Sequence, residues 1–255
     1  MNEYLKLAQD IAREAGTLLL DGFSRDFKIE KKGEVNLVTE MDLKSERLIY
    51  SAIEKRYPSH SILAEEETEI DHDSEFRWIV DPLDGTTNYA HRYPVWCVSI
   101  ALERAGKSFV GVVYNPILDE MFHATAGEGA FCNGQQIHIS KTTELSEAFL
   151  ATGFPYDIRE SKVDNLDNFR RFYKKCRAIR RGGSAALDLA YTASGIFDGF
   201  WELKLSPWDT AAGRLLAEEA GAKTVNFAGE EFDIFEGNIV CANSALVSQM
   251  IEVLG

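Results

Sequence analysis

The sequence predicts a mixed fold. An α+β first half, about residues 1–145, is joined to an α/β second half, about residues 146–255, within a single domain. Three observations predict it. Apolar residues recur at helical spacing over residues 4–23, at Leu5, Ala8, Ile11, Ala12, Ala15, Leu19 and Leu20. Short apolar runs at 62–64, 77–80, 98–102, 110–114 and 121–124 then succeed one another, the pattern of a mostly antiparallel sheet. Beyond about residue 145, strand and helix signals alternate. At 255 residues, 45% of them hydrophobic, the chain can bury a substantial core.

Between the first helix and the sheet, residues 24–38 are charged and include Lys31-Lys32-Gly33, so they read as a flexible excursion or a ribbon. A second helix starts near Thr39, runs through Leu43, Leu48, Ile49 and Ile53, and stops at Tyr57-Pro58. Residues 127–134 read as turns between short strands. They are no dinucleotide fingerprint, because Cys132 stands where a third glycine is required. The second half reads as a strand at Leu150, a helix over 162–175, a strand over 178–180 and a helix from Ser184. A strand over 197–203, a helix from Pro207, strands near Val225 and over 239–241, and a last helix from Asn243 complete it.

Charge narrows the function classes. With 27 basic and 41 acidic residues the formal net charge is -14, which repels nucleic acid and anionic lipid over most of the surface. An anionic substrate is repelled too, unless cations intervene, so phosphate chemistry here requires metal. Cys97, Cys132, Cys176 and Cys241 are scattered, without C-x-x-C or zinc-ligand spacing, and read as reduced thiols of a cytoplasmic protein. No basic leader and no membrane-length apolar run is present in the sequence.

The strongest motif is Asp81-Pro82-Leu83-Asp84-Gly85-Thr86-Thr87-Asn88. A strand over 77–80 delivers Asp81, Pro82 and Gly85 turn the chain, and a helix starts at Thr86. Two carboxylates three residues apart can converge on hard cations, with the Leu83 carbonyl as a further oxygen ligand. The amides of Gly85 and Thr86, at a helix N-terminus, form a phosphate cradle. A phospho-aspartate mechanism of the D-x-D-G-T type is excluded, because Pro82 occupies the nucleophile position. Glu65 follows a short apolar strand and is the one acid of the 65–75 stretch with reason to face a site. Asp209, in Ser206-Pro207-Trp208-Asp209, and Asp42, in Thr39-Glu40-Met41-Asp42, each read equally as helix caps or as site residues.

The run at 81–88, the Glu65-Glu66 pair and the Trp208-Asp209 box together resemble the inositol monophosphatase family, metal-dependent and lithium-sensitive phosphomonoesterases, over nearly the whole chain. The resemblance implies a layered αβαβα sandwich of the inositol monophosphatase and fructose-1,6-bisphosphatase type. It implies Glu65, Asp81, the Leu83 carbonyl, Asp84 and Asp209 as ligands of two or three magnesium ions. It implies that Glu65, Thr86 and Asp42 activate a water, with Lys31 nearby on a mobile loop. Gly183, Ser184, Ala185 and Glu202 match the polyol-binding positions, beside Asp84, Gly85, Thr86 and Asp209. Arg92 departs from the family's frequent glycine and adds a cation near the approach to the site.

The expected activity is hydrolysis of a small polyol phosphate, foremost inositol 1-phosphate, without a covalent intermediate. The expected assembly is a homodimer, with no nucleic-acid or membrane partner. The alternatives are the same chemistry on fructose 1,6-bisphosphate, histidinol phosphate or a phosphoadenosine phosphate, or a regulatory protein of the RNA-handling machinery. A calcium buffer is not expected, since no D-x-D-x-D-G loop occurs.

Overall fold

Asn2 accepts the amide of Tyr4 and so starts α1 (Glu3–Phe23), whose buried face carries Leu5, Ala8, Ile11, Ala12, Ala15 and Leu19. The computed structural model describes residues 2–25, 27–31 and 37–255, with Glu30, Lys31 and Leu37 as backbone alone. β1 (Ile29–Lys31) and β2 (Leu37–Thr39) pair antiparallel, which realises the ribbon reading of the charged excursion. Thr39 accepts the amide of Met41 and caps α2 (Glu40–Arg56).

Next come β3 (Ser61–Ala64), β4 (Glu69–Ile70), β5 (Phe76–Asp84), α3 (Thr86–Ala90), β6 (Cys97–Arg104), β7 (Lys107–Asn115) and β8 (Glu120–Thr125). β9 (Ala130–Cys132) and β10 (Gln135–Gln136) close the first half. Among the described residues these strands form one sheet of eight, in the order β10-β9-β8-β7-β6-β5-β3-β4, antiparallel except for β3 against β5.

The second half contains β11 (Phe149–Thr152), α4 (Leu166–Tyr173), β12 (Ala178–Arg180), α5 (Ala185–Ala193) and β13 (Gly199–Glu202). It ends with α6 (Pro207–Glu219), β14 (Lys223–Val225), β15 (Ile239–Ala242) and α7 (Ser244–Leu254). Its five strands lie in the order β12-β11-β13-β15-β14. The helix expected over 162–175 is shorter than predicted. Asn165, at φ 69°, precedes it, and its amide group donates to the Thr152 hydroxyl and the Gly153 carbonyl, which holds the preceding chain as a loop.

The strand period of two explains the layering. On β5, Trp78 and Val80 face α1 and α2, while Ile79 faces α5 and α6. The second sheet likewise directs Phe200 and Cys241 inward, and Trp201 and Val240 toward α4 and α7. The order is therefore helices, sheet, helices, sheet, helices, the αβαβα sandwich. The middle helices fit because small residues line their contacts. A side chain at Gly213 would strike Leu189, and one at Gly111 would meet the Ala212 carbonyl at 2.9 Å. Each fully buried Leu, Ile or Phe in these layers contributes about 1.5–3 kcal/mol. Among the described residues, no helix is long and apolar enough to cross a membrane.

Candidate active site

The site starts from an irregularity in β5. That strand does not end at Val80 as the sequence suggests but continues to Asp84, opposite Cys97. Asp81 pairs with Ser99 and Asp84 with Cys97, so three steps along β5 match two along β6. This bulge matters because residues three apart on a regular strand face opposite sides. Pro82, lacking an N–H, sits within it, and its carbonyl accepts the Ser45 hydroxyl of α2 at 2.8 Å. Asp81 accepts the Leu83 amide at 3.0 Å. Gly85, at φ +94°, then turns the strand into α3. A side chain there would be strained, and would crowd Val95 and Trp96.

Three of the acids are fixed by the start of a helix. Asp84 Oδ2 accepts the Ser184 hydroxyl at 2.6 Å and the Ala186 amide at 2.8 Å, both from the beginning of α5. Asp209, in the first turn of α6, accepts the Ser206 amide at 2.6 Å. Asp42 Oδ2 accepts the Thr39 amide at 2.8 Å, while its Oδ1 accepts the Thr86 hydroxyl at 2.8 Å. Asp42 and Asp209 are thus helix caps and neighbours of the site at once.

Asp81, Asp84 and Asp209 each offer a carboxylate oxygen, all within 4.8 Å of one another. They line a cavity of about 330 Å³ together with Glu65, the residue that follows β3. Burial, and then the charges of Glu65, Asp84 and Asp209, push the Asp81 carboxyl well above its ordinary range. Burial and then the Asp84 charge raise Asp209 to about 8. Burial raises Asp84 too, against its hydrogen bonds from Ser184 and Ala186. Such a group of anions resists full ionisation unless positive charge joins it. All its donors are oxygens, the set preferred by magnesium rather than by zinc or copper. The residues present therefore fit a hard divalent cation.

Gly183, Ala185 and Glu202 line the same cavity. Glu202 ends β13, is 8% exposed, and has no hydrogen-bond donor among the described residues. Gly153 makes room for it, since a Cβ at that position would overlap the Glu202 carboxylate. Burial, and then the charges of Asp188 and Asp84, push Glu202 well above its usual range, with Arg181 opposing.

The structure bears on three further expectations. Ser184 lines the cavity, and its hydroxyl donates to Asp84 and also caps α5. Arg92 is absent from the cavity lining: its guanidinium donates to the Phe23 and Arg25 carbonyls and lies over the Phe27 ring at 4.5 Å. The free carbonyls and negative dipole end of α1 draw it there. The side chain of Lys31 lies outside the described residues, although its backbone closes β1. The sequence reading also missed Tyr156, Arg181 and Lys204, which line the cavity. Lys204 reaches Asp157 and Ser161 at 2.7 Å each and so ties the loop carrying Tyr156 to the end of β13. No local pattern announces these three, since the contact spans more than forty residues.

Comparison with known proteins points the same way. The model of the inositol monophosphatase family matches residues 1–254. A relative named Nus factor SuhB, from Escherichia coli strain K12, is 41% identical over 254 residues, covering 98% of this chain and 95% of that protein. Inositol monophosphatase 2 of Solanum lycopersicum is 40% identical over 261 residues, covering 100% and 98%. The solved inositol monophosphatase of Anabaena (Nostoc) sp. PCC 7120 superimposes with a TM-score of 0.91 at 41% identity, covering 98% and 94%.

Proposed function

The chain belongs to the inositol monophosphatase family, and from that premise we propose that it is a magnesium-dependent phosphatase of small polyol phosphates, with inositol 1-phosphate as the leading substrate. The observation that carries this reading is the convergence of Asp81, Asp84 and Asp209 beside the Thr86–Asp42 hydrogen bond, in one cavity with Glu202. Held by Glu65, Asp81, the Leu83 carbonyl, Asp84 and Asp209, two or three magnesium ions would acidify a water and offset charge on the phosphoryl and leaving oxygens.

The protein's own groups do the rest. The Thr86 hydroxyl donates within the protein, to Asp42 at 2.8 Å with the Leu83 carbonyl at 3.1 Å, so its oxygen is left to accept and orients the attacking water by the water's own hydrogen. Glu65 shares that water. The Gly85 and Thr86 amides, N-terminal donors of α3, hold phosphoryl oxygens as their charge spreads. Nothing in this scheme needs a covalent intermediate.

Glu202 sets substrate class. Among the described residues it lacks a protein donor, and the hydroxyls of a polyol supply what it needs. A second phosphate would meet the buried Glu202 carboxylate there, with Arg181 as the one unspent lining cation among the described residues, since Lys204 is already paired with Asp157. Arg92, the cation that would have favoured fructose 1,6-bisphosphate, serves α1. These facts favour a neutral ring over a bisphosphate, with Gly183 and Ala185 as its backbone contacts.

The name of the E. coli relative supports a second reading, a regulatory partner of RNA-handling machinery. It is compatible with the first. One experiment separates them: release of phosphate from a panel of esters, with magnesium and with excess chelator. We expect release from inositol 1-phosphate that vanishes in chelator and returns with magnesium. Activity persisting in chelator would overturn the metal-dependent mechanism. No release from any ester would leave the regulatory reading.

A further inference from the structure

Seven of the chain's 27 basic residues fall within residues 170–181, and no acidic residue does. Six occupy the last turn of α4, the turn after it, and β12, the edge strand of the second sheet; the seventh, Arg181, follows β12 and lines the cavity beside Glu202, and all seven are exposed. Little offsets them. Arg171 donates to the Val253 and Leu254 carbonyls, and Arg177 approaches Glu147 only to 4.0 Å. Among the described residues, Arg170, Lys174 and Lys175 have no carboxylate partner. Between these cations Tyr173 stands 67% exposed, its ring stacked on Phe169 at 5.9 Å.

We propose that this face binds single-stranded RNA. A run of unpaired cations attracts a phosphate backbone and gains from the counterions it releases. An exposed ring held parallel on a second ring is a platform on which an unpaired base can stack. The other occupants fit less well. An incoming peptide strand would need the edge of β12, but that strand has three residues and the Arg180 guanidinium already occupies the Ile179 carbonyl at 3.1 Å. A bilayer would need apolar side chains to insert, and Tyr173 is the one large apolar side chain exposed within 170–181. A second copy would present the same charges and be repelled. RNA is the strand that ordinarily presents unpaired bases. The net charge of -14 argues against nucleic acid only as an average. It confines binding to this face and leaves a short footprint, of which Arg181 alone reaches the phosphatase cavity.

The test is fluorescence anisotropy of the full chain with an unstructured labelled RNA of about 12 nucleotides, within the range of single-strand site sizes. We expect micromolar binding that weakens steeply with salt. The double variant Lys174→Glu, Lys175→Glu should lose about tenfold or more in affinity and flatten the salt slope. Tyr173→Ala should lose about 5- to 150-fold with the slope unchanged, the scale of one stacked base, and Tyr173→Phe should restore it. Thermal unfolding and ester hydrolysis of each variant should match the parent, since none of these residues lines the cavity. The proposal is overturned if the parent shows no binding at about 100 µM protein, the weak end of non-specific affinity. It is also overturned if the variants bind as the parent does, or if DNA of the same sequence, polyglutamate or phosphatidylserine vesicles bind as tightly as RNA.

Discussion

Asp84 and Glu202 are both buried carboxylates on the walls of one cavity, yet the protein treats them in opposite ways. Asp84 has one oxygen fixed by a hydroxyl and an amide from α5, so the other is presented in a set direction. Glu202 receives no hydrogen bond among the described residues, and Gly153 clears the space around it. A carboxylate held by protein donors is prepared to hold a cation. One left without donors is prepared to take them from what enters. The two carboxylates thus divide the work between charge and recognition, and each can be broken separately.

The largest effect should follow from Thr86→Val, which keeps shape but removes the hydroxyl shared with Asp42. Turnover should fall on the order of 10²–10⁴-fold, and adding Asp42→Asn should lower it little further, because the two act as one unit. Multiplicative losses in a steady-state assay would separate them. Asp209→Asn comes next. Asn still caps α6, so thermal unfolding without metal should be unchanged or slightly raised, since a repelling charge is gone. Turnover should nevertheless drop on the order of 100-fold or more, and a stable, fully active variant would make Asp209 a cap alone.

The recognition carboxylate should give smaller and more selective losses. Glu202→Gln should lower kcat/KM for inositol 1-phosphate by about 10- to 150-fold and spare a simple aryl phosphate. If both substrates suffer equally, Glu202 supports the cation site and the division fails. Gly153→Ala sharpens the same point without touching a polar group. Its methyl displaces the Glu202 carboxylate, so KM for the polyol ester should rise by about tenfold while kcat on the aryl ester holds. The stability cost should be about 1–3 kcal/mol, the usual range for overpacking, read from a denaturant melt.

What the sequence made legible was local. Caps at Thr39, Ser184, Ser206 and Asn243, apolar periodicity, and the 81–88 run each lie within a few residues of chain, and the helices those caps start appear where the patterns place them, whereas α4 is shorter and β5 longer than expected. The bulge in β5 was not legible, because a register shift depends on the partner strand. Arg92 was misassigned for a related reason: its acceptors on α1 lie about seventy residues away in sequence, and nothing nearby reveals them. Asp84 and Ser184 were both expected among the site residues, but their pairing spans a hundred residues and was not legible. The seven cations of 170–181 were in plain view, but a sum over the whole chain concealed them.

Asp42 joins two kinds of structure through one carboxyl group, the first turn of α2 and the Thr86 hydroxyl. Fraying of that turn would therefore release Thr86 while the cores stay folded. Local openings of this kind occur far more often than global unfolding, and amide hydrogen exchange detects them. The Thr39 N–H, shielded by Asp42, should then exchange at the rate at which the water-orienting pair comes apart. Warming should erode turnover in step with that exchange, several degrees before the cooperative melt.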